Sequence, residues 1–84
     1  MSIHNKILLF LHEHAGSNRH DIANACDVSP YDALFMGVIY DLHDLRLIRN
    51  ESTTLNPTQM EFYYKWYLTE KGEEFVKILL TAQG

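Results

Sequence analysis

Residues 21–48, DIANACDVSPYDALFMGVIYDLHDLRLI, decide the fold. Within them a short helix ends, the chain turns, a longer helix starts and a strand follows. Ser29 can cap the longer helix. Pro30 suits a first helical position, because its missing N–H is one of the donors that has no helical partner there. Asp32 follows three residues after Ser29, as an acid does in a capping box. A helix is predicted from Pro30 to Leu45, with an inner stripe of Tyr31, Leu34, Phe35, Val38, Leu42 and Leu45. At about 100° per residue these six share one side. Asp32, Ala33, Met36, Gly37, Tyr40, His43 and Asp44 fall opposite. Gly37 inside a helix costs about 1 kcal/mol against Ala. Close approach of another surface is one reason to keep it.

The flanking segments extend this pattern. Ile3, Ile7, Phe10, Leu11 and His14 recur at helical spacing, and Gly16 stops the run. Ser17 or Asn18 can cap a second helix from Arg19 to Cys26, with Asp21 in the first turn where the helix dipole favours an acid. Leu45 to Arg49 reads as a first strand, and Asn50 to Met60 as a long loop. Glu61 to Leu68 alternates. Phe62, Tyr64, Trp66 and Leu68 take one face; Glu61, Tyr63, Lys65 and Tyr67 take the other. Thr69 caps a last helix whose inner stripe is predicted as Phe75, Ile78, Leu79 and Ala82, with Val76 and Leu80 to the side. There is no repeat, linker or low-complexity segment.

Eighty-four residues make one domain, 1–84, with a small core. The hydrophobic share of 46% marks a globular chain. The formal net charge of −4 runs against the basic excess of most nucleic-acid binders, although a local basic patch can suffice. The single cysteine, Cys26, excludes an internal disulfide and a Cys-pair metal site. It sits among Ile22, Ala23 and Val28 and reads as a packed apolar residue. His12 and His14 are two apart and face different sides of a helix. No partner stands at ligand spacing, so no metal and no cofactor are expected. No Ser-His-Asp order, Gly-rich phosphate loop or nucleophile elbow appears, so the chain is not read as an enzyme. The longest apolar run, Ile7 to Leu11, cannot span a bilayer. Met1-Ser2-Ile3-His4 carries no basic leader, and the expectation is a soluble cytoplasmic protein.

Two segments carry a resemblance. The first is Asp21-Ile22-Ala23-Asn24-Ala25-Cys26-Asp27-Val28-Ser29 continuing to Leu42-His43-Asp44-Leu45-Arg46-Leu47-Ile48. Its Ile-Ala pair, Val-Ser turn and L-x-x-L-x-L-I ending resemble the helix-turn-helix of bacterial winged-helix regulators. The second, Tyr67-Leu68-Thr69-Glu70-Lys71-Gly72-Glu73-Glu74-Phe75, is similar to the LTEKG junction that follows the wing in MarR-like and PadR-like regulators. Those families usually carry a small residue or Gly where Asp27 stands and Gly where Arg46 stands. The resemblance implies an α+β winged helix-turn-helix: a three-helix core, a β-hairpin wing and a C-terminal helix. It also implies a regulator of transcription, such as a repressor, acting on double-stranded DNA as a homodimer.

On that reading the third helix enters the major groove. The expected DNA-binding residues are Arg19, His20, Ser29, Tyr40, Arg46, Arg49 and Lys65. Arg19 and His20 would meet phosphates at the start of the second helix. Arg46, Arg49 and Lys65 would form a basic strip along the wing, followed by Asn50, Thr53 and Thr54. The commonest specific contact, Arg to guanine, has no donor on the third helix. The competing reading is a winged helix turned to protein binding, of the small acidic kind that phages and mobile elements could encode. There Met36, Gly37 and Tyr40 form an apolar centre, with Asp32, His43 and Asp44 as its polar rim. Leu8 and Leu9 on the first helix, with Val76 and Leu80 on the last, are expected to make a second apolar patch suited to a two-fold dimer.

Overall fold

The computed structural model describes residues 1–52 and 64–83. Four helices and a hairpin follow in the order α1 (Ile3–Glu13), α2 (Arg19–Ala25), α3 (Ala33–Asp44), β1 (Ile48–Ser52), β2 (Tyr64–Leu68) and α4 (Glu70–Gln83). This is the winged helix-turn-helix that the motifs imply. β1 runs on through Asn50, Glu51 and Ser52, which were expected in the loop. The rest of that loop, with Thr53 and Thr54, and Glu61, Phe62 and Tyr63 of the expected second strand lie outside the described residues.

Polar side chains open the helices. The Ser2 hydroxyl accepts from the Asn5 N–H at 3.2 Å and the Asn18 side chain from the Asp21 N–H at 2.8 Å. The Thr69 hydroxyl accepts from the Gly72 N–H at 3.0 Å. Each satisfies a donor that its helix cannot use. At α3 the cap is not Ser29. Asp32 takes that place, its carboxylate accepting from the Phe35 N–H at 2.9 Å. Ser29 is spent one turn earlier, accepting from the Tyr31 N–H at 3.2 Å. A carboxylate both caps the first turn and meets the helix dipole, so α3 starts three residues later than the Pro30 reading.

That shift resets the inner face of α3. Phe35, Val38, Ile39 and Leu42 are buried at a spacing of three, one and three. Ile39 is absent from the expected stripe. Tyr31, Leu34 and Leu45 belong to that stripe and are exposed, because Tyr31 and Leu45 flank the helix and Leu34 falls on the far side. The core adds Ile7, Leu8 and Leu11 from α1 and Ile22, Ala23 and Cys26 from α2. Leu47, Ile48, Trp66, Leu68 and Val76 complete it. Burial pushes the Cys26 thiol up from its ordinary value, with Lys6 opposing the shift.

Helices α2 and α3 end alike. At α3, the Arg46 N–H reaches the His43 carbonyl and the Leu47 N–H the Leu42 carbonyl, both at 3.0 Å. At α2, the Asp27 N–H reaches Asn24 and the Val28 N–H reaches Ala23, both at 3.1 Å. These are Schellman turns, whose pivot adopts left-handed backbone. The pivots are Arg46 (φ 61°) and Asp27 (φ 58°), the two positions where the resembled families prefer glycine or a small residue. Because Leu45 to Leu47 build this turn, β1 starts at Ile48 and not at Leu45.

The strands pair antiparallel, with Ile48 opposite Leu68, Arg49 opposite Tyr67, Asn50 opposite Trp66 and Glu51 opposite Lys65. The connection after α1 adds a short third rung. The Gly16 N–H reaches the Trp66 carbonyl at 2.8 Å, and the Trp66 N–H reaches the Ser17 carbonyl at 2.9 Å.

Helix α4 turns a different side inward from the one predicted. Val76 is 0% exposed, while Phe75 and Ile78 are exposed and Leu79 is half-buried. The cause is Gly72. A Cβ there would fall far inside contact distance of the Leu47 carbonyl oxygen, so only glycine lets α4 lie this close to the α3–β1 turn. The buried line then runs Gly72, Val76, Leu79. With it the expected surface patch dissolves: Leu8 (1% exposed) and Val76 join the core, Leu9 is half-buried, and Leu80 alone of the four stays exposed. Glu73 faces α1, its Oε2 3.0 Å from His12 Nδ1.

Two glycine substitutions test this packing by urea denaturation. Gly72→Ala should cost about 3 kcal/mol, the upper end of overpacking. Gly37 faces open space: a methyl group placed there would have no described atom outside its own helix turn within 4 Å. Gly37→Ala should therefore stabilise the fold by up to about 1 kcal/mol.

Candidate nucleic-acid interface

The second and third helices form the helix-turn-helix, and α3 lies at its surface. The outward line of α3 is Ala33, Leu34, Gly37, Tyr40, Asp41 and Asp44, all exposed. Leu34 is 66% exposed and Tyr40 58%. Met36, expected at the centre of this face, is half-buried and packs on the core. Asp32 is occupied by the cap. The helix holds no Lys or Arg along its whole length. His4 Nε2 lies 3.8 Å from the Asp41 carboxylate, linking α1 to this helix.

The expected cations divide into two groups. Arg19 is only 8% exposed, and its guanidinium lies 4.8 Å from the centre of the Tyr31 ring. That is a packed cation and not the solvent-facing phosphate contact expected of it. His20 is half-buried and meets the same ring edge-on, with centroids 5.9 Å apart. Tyr31 thus gathers Arg19 and His20 at the entrance to α3. Ser29 is exposed, with its hydroxyl held in the turn.

The second group sits on the turn and hairpin. Arg46 and Arg49 are exposed and line one cleft. Arg49 also pairs with Glu51 at 2.8 Å and lies 4.5 Å from the Tyr67 ring centre. Lys65 is exposed and stands opposite Glu51 across the ladder. Glu51 thus lies between the two wing cations, and the basic strip is interrupted by an acid. His43 is turned to Trp66, edge-on with centroids 6.0 Å apart.

Sequence reasoning missed Tyr31 and Leu34 as surface residues. Both read as core because their spacing fits a helix beginning at Pro30. The extra capping capacity of Asp32 was the available signal. Among the described residues, no three His, Cys, Asp or Glu side chains come together as metal ligands. No helix among them is long and apolar enough to cross a membrane.

No model of a known protein family matches the sequence, and no curated protein does. Solved structures match over nearly the whole chain. A mutant of S. aureus MepR bound to an oligodeoxyribonucleotide aligns with a TM-score of 0.81 at 19% identity, covering 98% of this chain and 56% of that one. Lactococcus lactis ZitR, a zinc-responsive MarR family member, aligns at 0.76 with 25% identity, covering 96% and 51%. An apo form of a ZitR mutant aligns at 0.79 with 28% identity, covering 99% and 58%. The chain therefore spans little more than half the length of these structures. It has the winged helix-turn-helix fold of MarR-family regulators and resembles them along almost all of its own length.

Proposed function

We propose that this chain is a regulator of transcription that binds double-stranded DNA through its helix-turn-helix and wing. One observation carries the reading: the superposition of 98% of the chain on a MepR mutant bound to an oligodeoxyribonucleotide. In the docking that this geometry supports, α3 enters the major groove, with Ala33, Leu34, Gly37 and Tyr40 toward the base edges. Arg46, Arg49 and Lys65 meet phosphates from the turn and wing, with Ser29 and His20 beside the entrance to α3. Arg19 acts by holding Tyr31. Because α3 carries no cation, affinity rests on three side chains outside it, and binding is weak and sensitive to salt.

Gel retardation with duplex DNA, including the promoter region of its own gene, tests this. Affinity should fall about tenfold or more between about 50 and 200 mM salt. Arg46→Ala and Arg49→Ala should each lower the salt slope by about 1. Absence of retardation at low salt on every fragment would overturn the proposal.

A second reading is favoured by the composition of α3. Leu34, Gly37 and Tyr40 offer an apolar centre with Asp41 and Asp44 at its edge, which suits a protein partner better than a phosphate backbone. Leu34→Asp and Tyr40→Asp change exposed side chains and should leave the unfolding free energy within about 0.5 kcal/mol of the parent chain. If α3 binds protein, both should abolish capture of the partner. Capture that survives both would place the partner elsewhere.

The regulator reading also implies a homodimer. Of the residues expected at its interface, Leu9 and Leu80 are still at or near the surface, and Phe75 and Ile78 of α4 join them. Sedimentation equilibrium should show a dimer at micromolar concentration, and Ile78→Asp should shift it to monomer. A monomer for both chains would remove the dimer from the proposal.

A further inference from the structure

Each base pair presents a row of groups in the major groove, and a helix lying there reads those that its own side chains complement. Guanine offers two acceptors, N7 and O6. Adenine and cytosine each offer an amino donor. Thymine offers an acceptor and its C5-methyl, the apolar group of the groove. The outer face of α3 is matched to that methyl and to little else.

Residues at the N-terminal end of a reading helix are the ones that contact base edges. On α3 the exposed residues there are Ala33, Leu34 and Gly37, and none has a polar side-chain atom. Asp32, just before them, spends its carboxylate on the Phe35 N–H. The Tyr40 phenol is the first polar group along the outward line, and the Asp41 and Asp44 carboxylates beyond it only accept. Asp41 is also approached by His4 Nε2 at 3.8 Å. This face has no cationic donor for N7 and O6 of guanine, and its carboxylates repel both atoms. Its apolar reach comes from Leu34, which is 66% exposed. A leucine packed on a thymine methyl removes apolar surface of both from water.

Gly37 is an independent observation at the same place. It stands four residues after Ala33 and three after Leu34, so the three share one patch. Glycine weakens a helix interior. No contact inside the molecule asks for it, since a methyl group there would meet no described atom outside its own helix turn within 4 Å. The missing side chain leaves a notch beside Leu34, through which base edges reach closer to the helix backbone.

We propose that α3 recognises thymine by its C5-methyl, with Leu34 as the specificity-determining residue, Ala33 beside it and Gly37 as the notch that brings the groove close. The proposal rests on the regulator reading and says which duplex that regulator selects. A·T pairs lie under the start of α3 and are read by apolar contact. Guanine is disfavoured there because the helix has no cation to meet it. Arg46, Arg49 and Lys65 hold the backbone whatever the sequence.

The test selects duplexes from a random library on the intact chain at low salt and sequences those retained. A·T pairs should be enriched at fixed positions. A retained duplex is then remade with deoxyuridine for thymine, which removes the methyl and keeps the pairing. Affinity should fall about fourfold for each methyl contacted. Remade with 7-deazaguanine for guanine, which removes the N7 acceptor, the duplex should bind within about twofold of the original. Leu34→Ala should bind the thymine and uracil duplexes nearly alike while the Tm of the free chain stays unchanged, because Leu34 is exposed. Absence of A·T enrichment, or equal binding of thymine and uracil duplexes by the parent chain, would overturn the proposal and leave the regulator reading standing. So would a loss with 7-deazaguanine as large as the loss with uracil, or a thymine preference that Leu34→Ala leaves intact. Failure to retain any duplex would overturn the regulator reading and this inference with it, and would return the face of α3 to a protein partner.

Discussion

Three consecutive carbonyls in the turn that follows α3 are sealed by one short segment of the chain. The Thr69 N–H reaches the Leu47 carbonyl at 3.0 Å, and the Thr69 hydroxyl donates to the Arg46 carbonyl at 2.5 Å. The Lys71 ammonium takes the Leu45 carbonyl. Carbonyls covered by another element are costly to desolvate unless they find a donor. Here the covering helix supplies the partners itself. Gly72 completes the seal, since its missing side chain lets α4 settle on the Leu47 carbonyl. Ile48 pairs with Leu68 directly beside this point, so the base of the hairpin closes in the same place. The direction of α3, the root of the wing and the start of α4 are one mechanical unit.

This unit leaves the outer face of α3 little structural duty beyond the contact of Asp41 with His4. The inner residues Phe35, Val38, Ile39 and Leu42 hold the helix, and the Schellman turn and Thr69–Gly72 junction end it. Leu34 and Tyr40 are exposed, and no described atom outside its own helix turn would meet a methyl group on Gly37. The face offers apolar bulk and two carboxylates, while the exposed Arg46, Arg49 and Lys65 sit on the turn and wing. Backbone contacts from the wing and base-edge contacts from α3 would carry separate parts of DNA binding, the first by charge and the second by shape and apolar surface.

The two left-handed pivots separate fold from composition. Schellman geometry at Asp27 and Arg46 is the geometry that glycine serves without cost. Asp tolerates it through a short polar side chain; Arg tolerates it less well. Asp27 and Arg46 both hold that backbone and both are exposed, so each adds a charged side chain to the surface at a turn that needs none. Arg46 lines the cleft between this turn and α4.

The order of elements, their kinds and the starts of α2 and α4 were legible in the chain, because short-range interactions decide them. Caps at Asn18 and Thr69, the stop at Gly16 and the alternation of Tyr64 to Leu68 all act within a few residues. The faces were not legible to the same degree. A helix buries the side that something else packs against, and periodicity counts only side chains. In α4 the decisive residue, Gly72, has none, so spacing favours Phe75 and Ile78 where the structure buries Val76. In α3 two caps competed over three residues, and the winner, Asp32, turned Tyr31 and Leu34 outward. Arg19 has the look of a surface cation until Tyr31 folds over it. The sequence alone settled that this is a helix-turn-helix with a wing. The tertiary structure decided which surface each helix offers, because a surface is whatever close packing leaves uncovered.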